Sequence, residues 1–265
     1  VTDEAVRAAA RYLLDAHRVR ERFGPIPESV APRSVSDAYA IQDAFVSLKT
    51  RQMGPTAGYK LALTTPQMRR MVGHHDSIAG VLLRAGLQRS PATVRASDYT
   101  RLLVEFEIGL ELGADLPASG VPFVSRDVAS VVSAVVPALE LADDRNADYA
   151  GLSHNFLNLI ADNAWNEGAI LGRPTRDWQR LDLAELRGMA TINGVCVGEG
   201  RGGDALGHPL EALAWLANHL ARRGSSLRQG DVVITGSLIT SKFPRAGDRV
   251  QFSIEQLGGV ELLIE

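Results

Sequence analysis

Glu105, Glu107 and Glu111 stand in the otherwise apolar run LLVEFEIGLELG, residues 102–113. Successive side chains of a strand point to opposite faces, so these glutamates share one face, and Val104, Phe106, Ile108 and Leu110 share the other. Taken alone, the pattern describes an amphipathic strand with one wet, acidic face. Glu140 shifts the balance, because it is the single charge in VVSAVVPALELA, residues 131–142. An unpaired buried carboxylate is expensive. A divalent cation shared with Glu105 and Glu107 would satisfy all of them, and an all-oxygen donor set suits Mg²⁺ or Mn²⁺ better than zinc. An ion pair of Glu140 with Arg145 or another basic residue is the alternative, and both stay open at this level.

Lys60 lies in AGYKLALTT, flanked by apolar residues on an expected strand. Desolvation there would lower its pKa and make it a general base or a charge partner for a substrate acid. The structural alternative is an edge-strand lysine whose ammonium reaches water. Other chemistry-bearing patterns carry less. GEGRGG, residues 198–203, has the literal dinucleotide spacing, but a hairpin precedes it and the next helix starts only near His208, so the fingerprint lacks its context. In GHHD, residues 73–76, the adjacent histidines diverge on any regular element, and no second zinc motif accompanies them. GLSHN and TGSLI both fail the nucleophile-elbow pattern at their last position.

The elements that must position these groups are legible in outline. Thr2 with Asp3 and Glu4 opens a first helix, along which Val6, Ala10, Leu13 and Leu14 recur at helical spacing. Ser34 with Asp37 opens a second, with Tyr39, Ile41, Phe45 and Leu48 on its apolar stripe. Beyond GYKLALTT the texture turns to short strands. Asn193-Gly194 between alternating flanks marks a hairpin, and DVVITGSL, DRVQFSIEQ and GVELLIE are further strand candidates. HPLEALAWLANHLARRG interrupts them as a helix with Pro209 in its first turn and Gly224 after its end. TPQMRRMVG and RDVASVVSAV read as shorter helices. These readings divide the chain into a helical segment over residues 1–55 and a mixed-β catalytic domain over 56–265, within one compact unit.

With 265 residues, 45% hydrophobic and 22% charged, the chain has the composition of a soluble globular protein. A formal charge of −3 and the absence of basic clusters argue against a nucleic-acid backbone as partner. The single cysteine, Cys196, reads as a quiet strand position in a reducing compartment. Neither an apolar leader nor a membrane-length apolar run is present, so the expected location is the cytoplasm.

GYKLALTT, EFEIGLELG, VVPALELADDR, ADNAWNEGAILG, ALGHPLEALAWLANHLA and GDVVITGSL…AGDRV occur here in order. In this set the chain resembles the fumarylacetoacetate hydrolase superfamily, in particular its branch of 2-hydroxydienoate hydratases and 4-oxalocrotonate decarboxylases, from about Ser36 to the C-terminus. The resemblance implies an α+β fold, a mixed β-roll or sandwich with flanking helices, and assembly as a homo-oligomer. It matches Glu105, Glu107 and Glu140 to the family's metal-binding carboxylates, Lys60 to its active-site lysine, and Ser237 to a hydroxyl that meets the substrate carboxylate. Glu111 matches nothing functional.

The chemistry implied is that of a metal-dependent lyase on a 2-oxo or 2-hydroxydienoic acid, with hydration preferred over decarboxylation because of TGSLI. An acylpyruvate hydrolase ranks lower, since NFLNLIADNA lacks the expected lysine. A catalytically silent binding protein is the remaining alternative. The chain departs from the pattern in three places. Ile78 stands where relatives carry an aspartate, leaving Asp76 or His75 as the substitute acid. Leu103 replaces a basic residue, implying a less cationic pocket. Trp165 and Glu167 replace small residues and are expected to reshape the substrate end of the cleft or to lie at a subunit contact.

Overall fold

A computed structural model describes the backbone of residues 1–265 and the surroundings of all of them but Gly120. The chain opens with helices α1, Asp3–Arg18, and α2, Val35–Met53, followed by strand β1, Thr56–Ala62, helix α3, Pro66–Val72, and strand β2, Ile78–Leu83. Short strands β3, Leu87–Arg89, and β4, Ala92–Val94, lead to the long strand β5, Leu102–Leu112. Helix α4, Ser125–Ala129, strand β6, Val132–Asp143, helix α5, Phe156–Ala161, and strand β7, Asn166–Leu171, follow. The remainder comprises β8, Arg187–Ile192, β9, Val195–Arg201, α6, Pro209–Arg222, β10, Val232–Ser237, β11, Arg249–Ile254, and β12, Gly258–Ile264.

The helix signals act as their chemistry requires. The Thr2 hydroxyl accepts from the Ala5 amide at 3.2 Å, and Ser34 accepts from the Asp37 amide at 3.1 Å. Asp37 returns its carboxylate to the amide of Arg33 rather than to that of Ser34, so the reciprocal box is incomplete. Ala9, Ala10 and Leu13 of α1 bury against Ile41 and Phe45 of α2. Asn193 and Gly194 both take positive φ, 53° and 78°, as the hairpin between β8 and β9 demands. One expected helix is shorter than read: RDVASVVSAV is helical only to Ala129, and from Val132 its β-branched residues join β6. Among the described residues, no helix is long and apolar enough to cross a membrane.

Two sheets form the body, a seven-stranded one in the order β2-β1-β10-β5-β6-β7-β3 and a five-stranded one in the order β4-β12-β11-β8-β9. Strand β5 lies between β10 and β6, antiparallel to both. Its even-numbered face, Val104, Phe106, Ile108 and Leu110, enters the main core with Val250, Phe252 and Ile254 of β11. Phe106 and Phe252 meet edge to face at 5.6 Å. The apolar face therefore glues the sheets together, and the glutamate face points to the other side, toward the helical layer. This is the mixed-β sandwich with flanking helices that the sequence implied. Cys196 lies on β9 and is exposed.

Candidate metal centre and substrate cavity

Pairing places Glu105 directly opposite Glu140, with Glu107 opposite Ala138 one same-face step along the strands. One carboxylate oxygen from each of Glu105, Glu107 and Glu140 can be chosen so that all lie within 4.8 Å of one another. Glu107 and Glu140 are 0% exposed and Glu105 is 8% exposed, so solvent cannot screen their repulsion. Each is steered by a neighbour. The Gly236 amide donates to Glu107 at 2.6 Å, Ser241 Oγ to Glu105 at 2.6 Å, and Asn166 Nδ2 to Glu140 Oε1 at 2.9 Å. Glu107 Oε1 and Glu140 Oε2 remain without any hydrogen-bond partner although buried. Buried carboxylate oxygens rarely stay unpaired, and an all-oxygen donor set with two such orphans fits a hard divalent cation.

Lys60 reaches this cluster from β1, the strand beside β10, with Nζ 3.0 Å from Glu140 Oε1. The partner of Glu140 is thus Lys60, not Arg145, whose guanidinium binds Asp162 instead. Lys60 is 2% exposed and so is not an edge lysine reaching water. Its pKa also moves opposite to the sequence expectation. Burial alone would lower it, but attraction to Glu140, Glu105 and Glu107 overcomes burial and raises it. The carboxylates answer in kind: burial pushes Glu107 well above the usual carboxylate range, helped by repulsion from Glu140 and Glu105. Burial likewise pushes Glu140 to about 7, with Glu105 adding to the rise and Lys60 opposing it.

Two glycines make this packing possible. A Cβ on Gly80, opposite Lys60 on β2, would stand 3.0 Å from Lys60 Cγ and 2.8 Å from the Asn163 carbonyl. Gly236, at φ 106°, aims its amide at Glu107, and a Cβ there would meet Thr64 Oγ1 at 2.3 Å.

Lys60, Glu105 and Ser241 form the polar end of a cavity of about 80 Å³. The rest of its wall is almost wholly apolar, with Leu103 and Ala142 on the strands, Met68 and Met71 on α3, and Trp165 closing it beside α5. Trp165 is held there by an unusual backbone: Asn163, Ala164 and Trp165 take φ of 53°, 47° and 65° in succession. Left-handed backbone costs ordinary residues roughly 1–2 kcal/mol each, and Asn163 fixes it by bonding both the amide and the carbonyl of Val81, at 2.7 and 2.9 Å. That turn sets Trp165 over the cavity and Asn166 onto Glu140.

Other sequence candidates lie elsewhere. Ser237 pairs with Glu107 across the sheet, but its hydroxyl donates to the Ile239 carbonyl at 2.7 Å and accepts from the Phe106 amide at 3.0 Å. Asp76 is exposed, accepts from Trp215 Nε1 at 2.7 Å, and is not on the cavity wall. His75 lines a separate surface depression with Arg69 and Arg70. Ile78, at the position of the absent acid, is 1% exposed in the apolar cluster beneath Trp165. Glu167 turns away to Lys49 at 2.9 Å and to His17 Nδ1 at 3.2 Å, and these cations, against the cost of burial, hold its carboxyl down at about 2. Glu111 pairs with Arg89 at 2.6 Å. Ser241 and Asn166 escaped sequence reasoning: a lone serine after a glycine-bearing strand and one asparagine among several carry no pattern.

Comparisons with known proteins place the chain in a family. The fumarylacetoacetate (FAA) hydrolase C-terminal family model matches residues 66–264. The chain is 29% identical over 258 residues to 2-keto-4-pentenoate hydratase of Paraburkholderia phymatum, covering 97% of each chain. It is 29% identical over 261 residues to 4-oxalocrotonate decarboxylase of Pseudomonas putida, covering 97% of this chain and 96% of that one. The structure of 4-oxalocrotonate decarboxylase from Pseudomonas putida G7, complexed with magnesium and adipate, matches with a TM-score of 0.90 at 27% identity, over 100% of this chain and 99% of that one. With the family model spanning most of the sequence, and with a fold shared end to end, the chain belongs to the fumarylacetoacetate hydrolase family.

Proposed function

We propose that the chain is a divalent-metal-dependent hydro-lyase that adds water to a 2-hydroxydienoic acid through its 2-oxo form. The observation that carries this reading is a buried acidic trio, two of whose oxygens lack partners, with a buried lysine 3.0 Å from one member. Glu105, Glu107 and Glu140 would hold Mg²⁺ or Mn²⁺. Bound there, such an ion supplies Lewis acidity toward the carboxylate and keto oxygens of a 2-oxo acid.

The chain's own residues do the rest. Lys60, 3.0 Å from Glu140, serves as the group that moves a proton to or from the conjugated chain or as the cation facing a developing enolate. Ser241 and Asn166 fix the orientation of Glu105 and Glu140. Ser237 stands one strand from Glu107, and its hydroxyl would exchange the Ile239 carbonyl for a substrate carboxylate oxygen. Asp76 enters this reading only as the partner of Trp215. Residues 1–55 serve as the helical layer over residues 56–265, the family resemblance supports a homo-oligomer, and the single cysteine is the ground for a reducing compartment, the cytoplasm.

Relatives named 2-keto-4-pentenoate hydratase support hydration. Loss of CO₂ is the second reading, favoured by the end-to-end match with 4-oxalocrotonate decarboxylase. Incubation with Mg²⁺ and a 2-hydroxydienoate should bleach the dienol absorbance without release of CO₂. Unchanged spectra across several chain lengths would contradict hydration.

A further inference from the structure

Relatives are named for acids with one and with two carboxylates, 2-keto-4-pentenoate hydratase and 2-oxo-hept-4-ene-1,7-dioate hydratase. Resting on the function proposed above, we infer that this chain takes a 2-oxo acid with a single carboxylate and an uncharged hydrocarbon tail, and that Leu103 and Met68 enforce the choice.

The strand geometry sets the direction of the tail. Leu103 faces Ala142 one same-face step beyond the Glu105–Glu140 pair, a displacement of about 7 Å along the strands. A substrate anchored by its oxo-acid end at the acidic trio therefore extends over Leu103 and Ala142. There it meets Leu63, Leu152, Leu159 and Trp165, all at most 7% exposed. None of these side chains carries a charge. Among the described residues, Lys60 is the one cation on the cavity wall, and it is engaged by Glu140.

Two arginines near the cavity bond to other groups. Arg101 grips the Asp144 carboxylate with two nitrogens. Arg69 donates to the Leu63 carbonyl at 3.1 Å, and with Arg70 lines the depression on the other side of α3 from Met68 and Met71. Helical spacing explains the division, because neighbours in sequence fall about 100° apart around a helix. A second carboxylate at the tail would be buried with no partner, the costliest way to place a charge.

The test is binding, not turnover. Calorimetry of the full chain with saturating Mg²⁺ would compare pyruvate, 2-oxobutanoate and 2-oxopentanoate with 2-oxopentanedioate, the diacid matched in length to the last. Each added methylene should tighten binding about fourfold, and the diacid should bind on the order of 100-fold more weakly than 2-oxopentanoate. Leu103→Arg should reverse that preference. Met68→Arg, on the half-buried face of a short helix, should narrow it and covers the case in which Leu103→Arg does not fold. A wild-type diacid affinity equal to or above that of 2-oxopentanoate overturns the inference while leaving the metal site intact. An unchanged preference in both folded variants overturns the assignment of these two residues. Failure of pyruvate itself to bind in the presence of Mg²⁺ removes the proposed function, and the inference falls with it.

Discussion

Chelating the metal and scanning pH should expose the energetics of the acidic trio. Glu140 is fully buried, and its carboxyl is raised from the ordinary 4.5 to about 7. A carboxyl raised on folding keeps its proton in the native state while the unfolded chain has already released it. Between those two values the native state binds more protons, so stability falls as pH rises from about 4.5 to about 7. The gap of about 2.5 pH units, at ~1.36 kcal/mol each, gives ~3 kcal/mol for this group in the metal-free protein. Glu107 moves in the same direction for the same reason. For a chain of this size ~3 kcal/mol corresponds to roughly 6–12 °C in Tm.

A bound divalent ion reverses the sign, because its ligands must be ionised. At a concentration 100 times Kd it adds ~2.7 kcal/mol, and that gain should be nearly absent near pH 5 and present in full by pH 8. The assay is Tm by calorimetry from pH 5 to 8.5, with EDTA or with Mg²⁺. Groups remote from the metal cancel in the difference between the two curves. Glu140→Gln, which cannot ionise, should flatten the EDTA curve. A Tm difference independent of pH would refute the reasoning.

Lys60→Met removes the cation from a pair buried on both sides; it should abolish turnover and destabilise the metal-free protein by about 3–5 kcal/mol at pH 8, read by urea denaturation, with Mg²⁺ restoring part of the loss. Gly236→Ala forces a side chain onto φ 106° and to within 2.3 Å of Thr64, so metal affinity measured by calorimetry should fall at least ~10-fold as the amide leaves Glu107, a change of ~1.4 kcal/mol. Asp162→Asn weakens a carboxylate bound by both His17 and Arg145 in the interior and should cost about 3–5 kcal/mol of stability by urea denaturation. Asp76→Asn should alter kcat/KM less than ~3-fold and stability by about 0.5–1.5 kcal/mol; loss of turnover would return Asp76 to the chemistry.

The sequence carried the site where chemistry conflicts with local pattern. Glu140 in an apolar run demands a partner and Lys60 in an apolar strand offers a base or a cation, and the structure makes them each other's partner beside Glu105 and Glu107. The strand β5 was legible because its alternation is strict, and the sheet uses one face for the inter-sheet core and the other for the acids. What stayed hidden depends on contacts far apart in sequence. The parallel pairing of β1 with β10 brings Lys60 to the cluster across 174 residues of chain, with Lys60 opposite Ile234. Periodicity contains no such information. The left-handed run at Asn163, Ala164 and Trp165 was equally illegible, since an alanine and a tryptophan are not the residues that advertise positive φ. Lys60 departs from the expected drop in pKa because attraction to the carboxylates beside it outweighs burial.

The central claim is that Glu105, Glu107 and Glu140 jointly hold a divalent cation. Crystals soaked in Mn²⁺ and pyruvate, measured at the manganese absorption edge, test it directly. The account predicts one strong anomalous peak bonded to an oxygen of each glutamate and to two adjacent oxygens of pyruvate. Carboxylates pointing apart with no anomalous density among them, at saturating Mn²⁺ and pH 8, would contradict it.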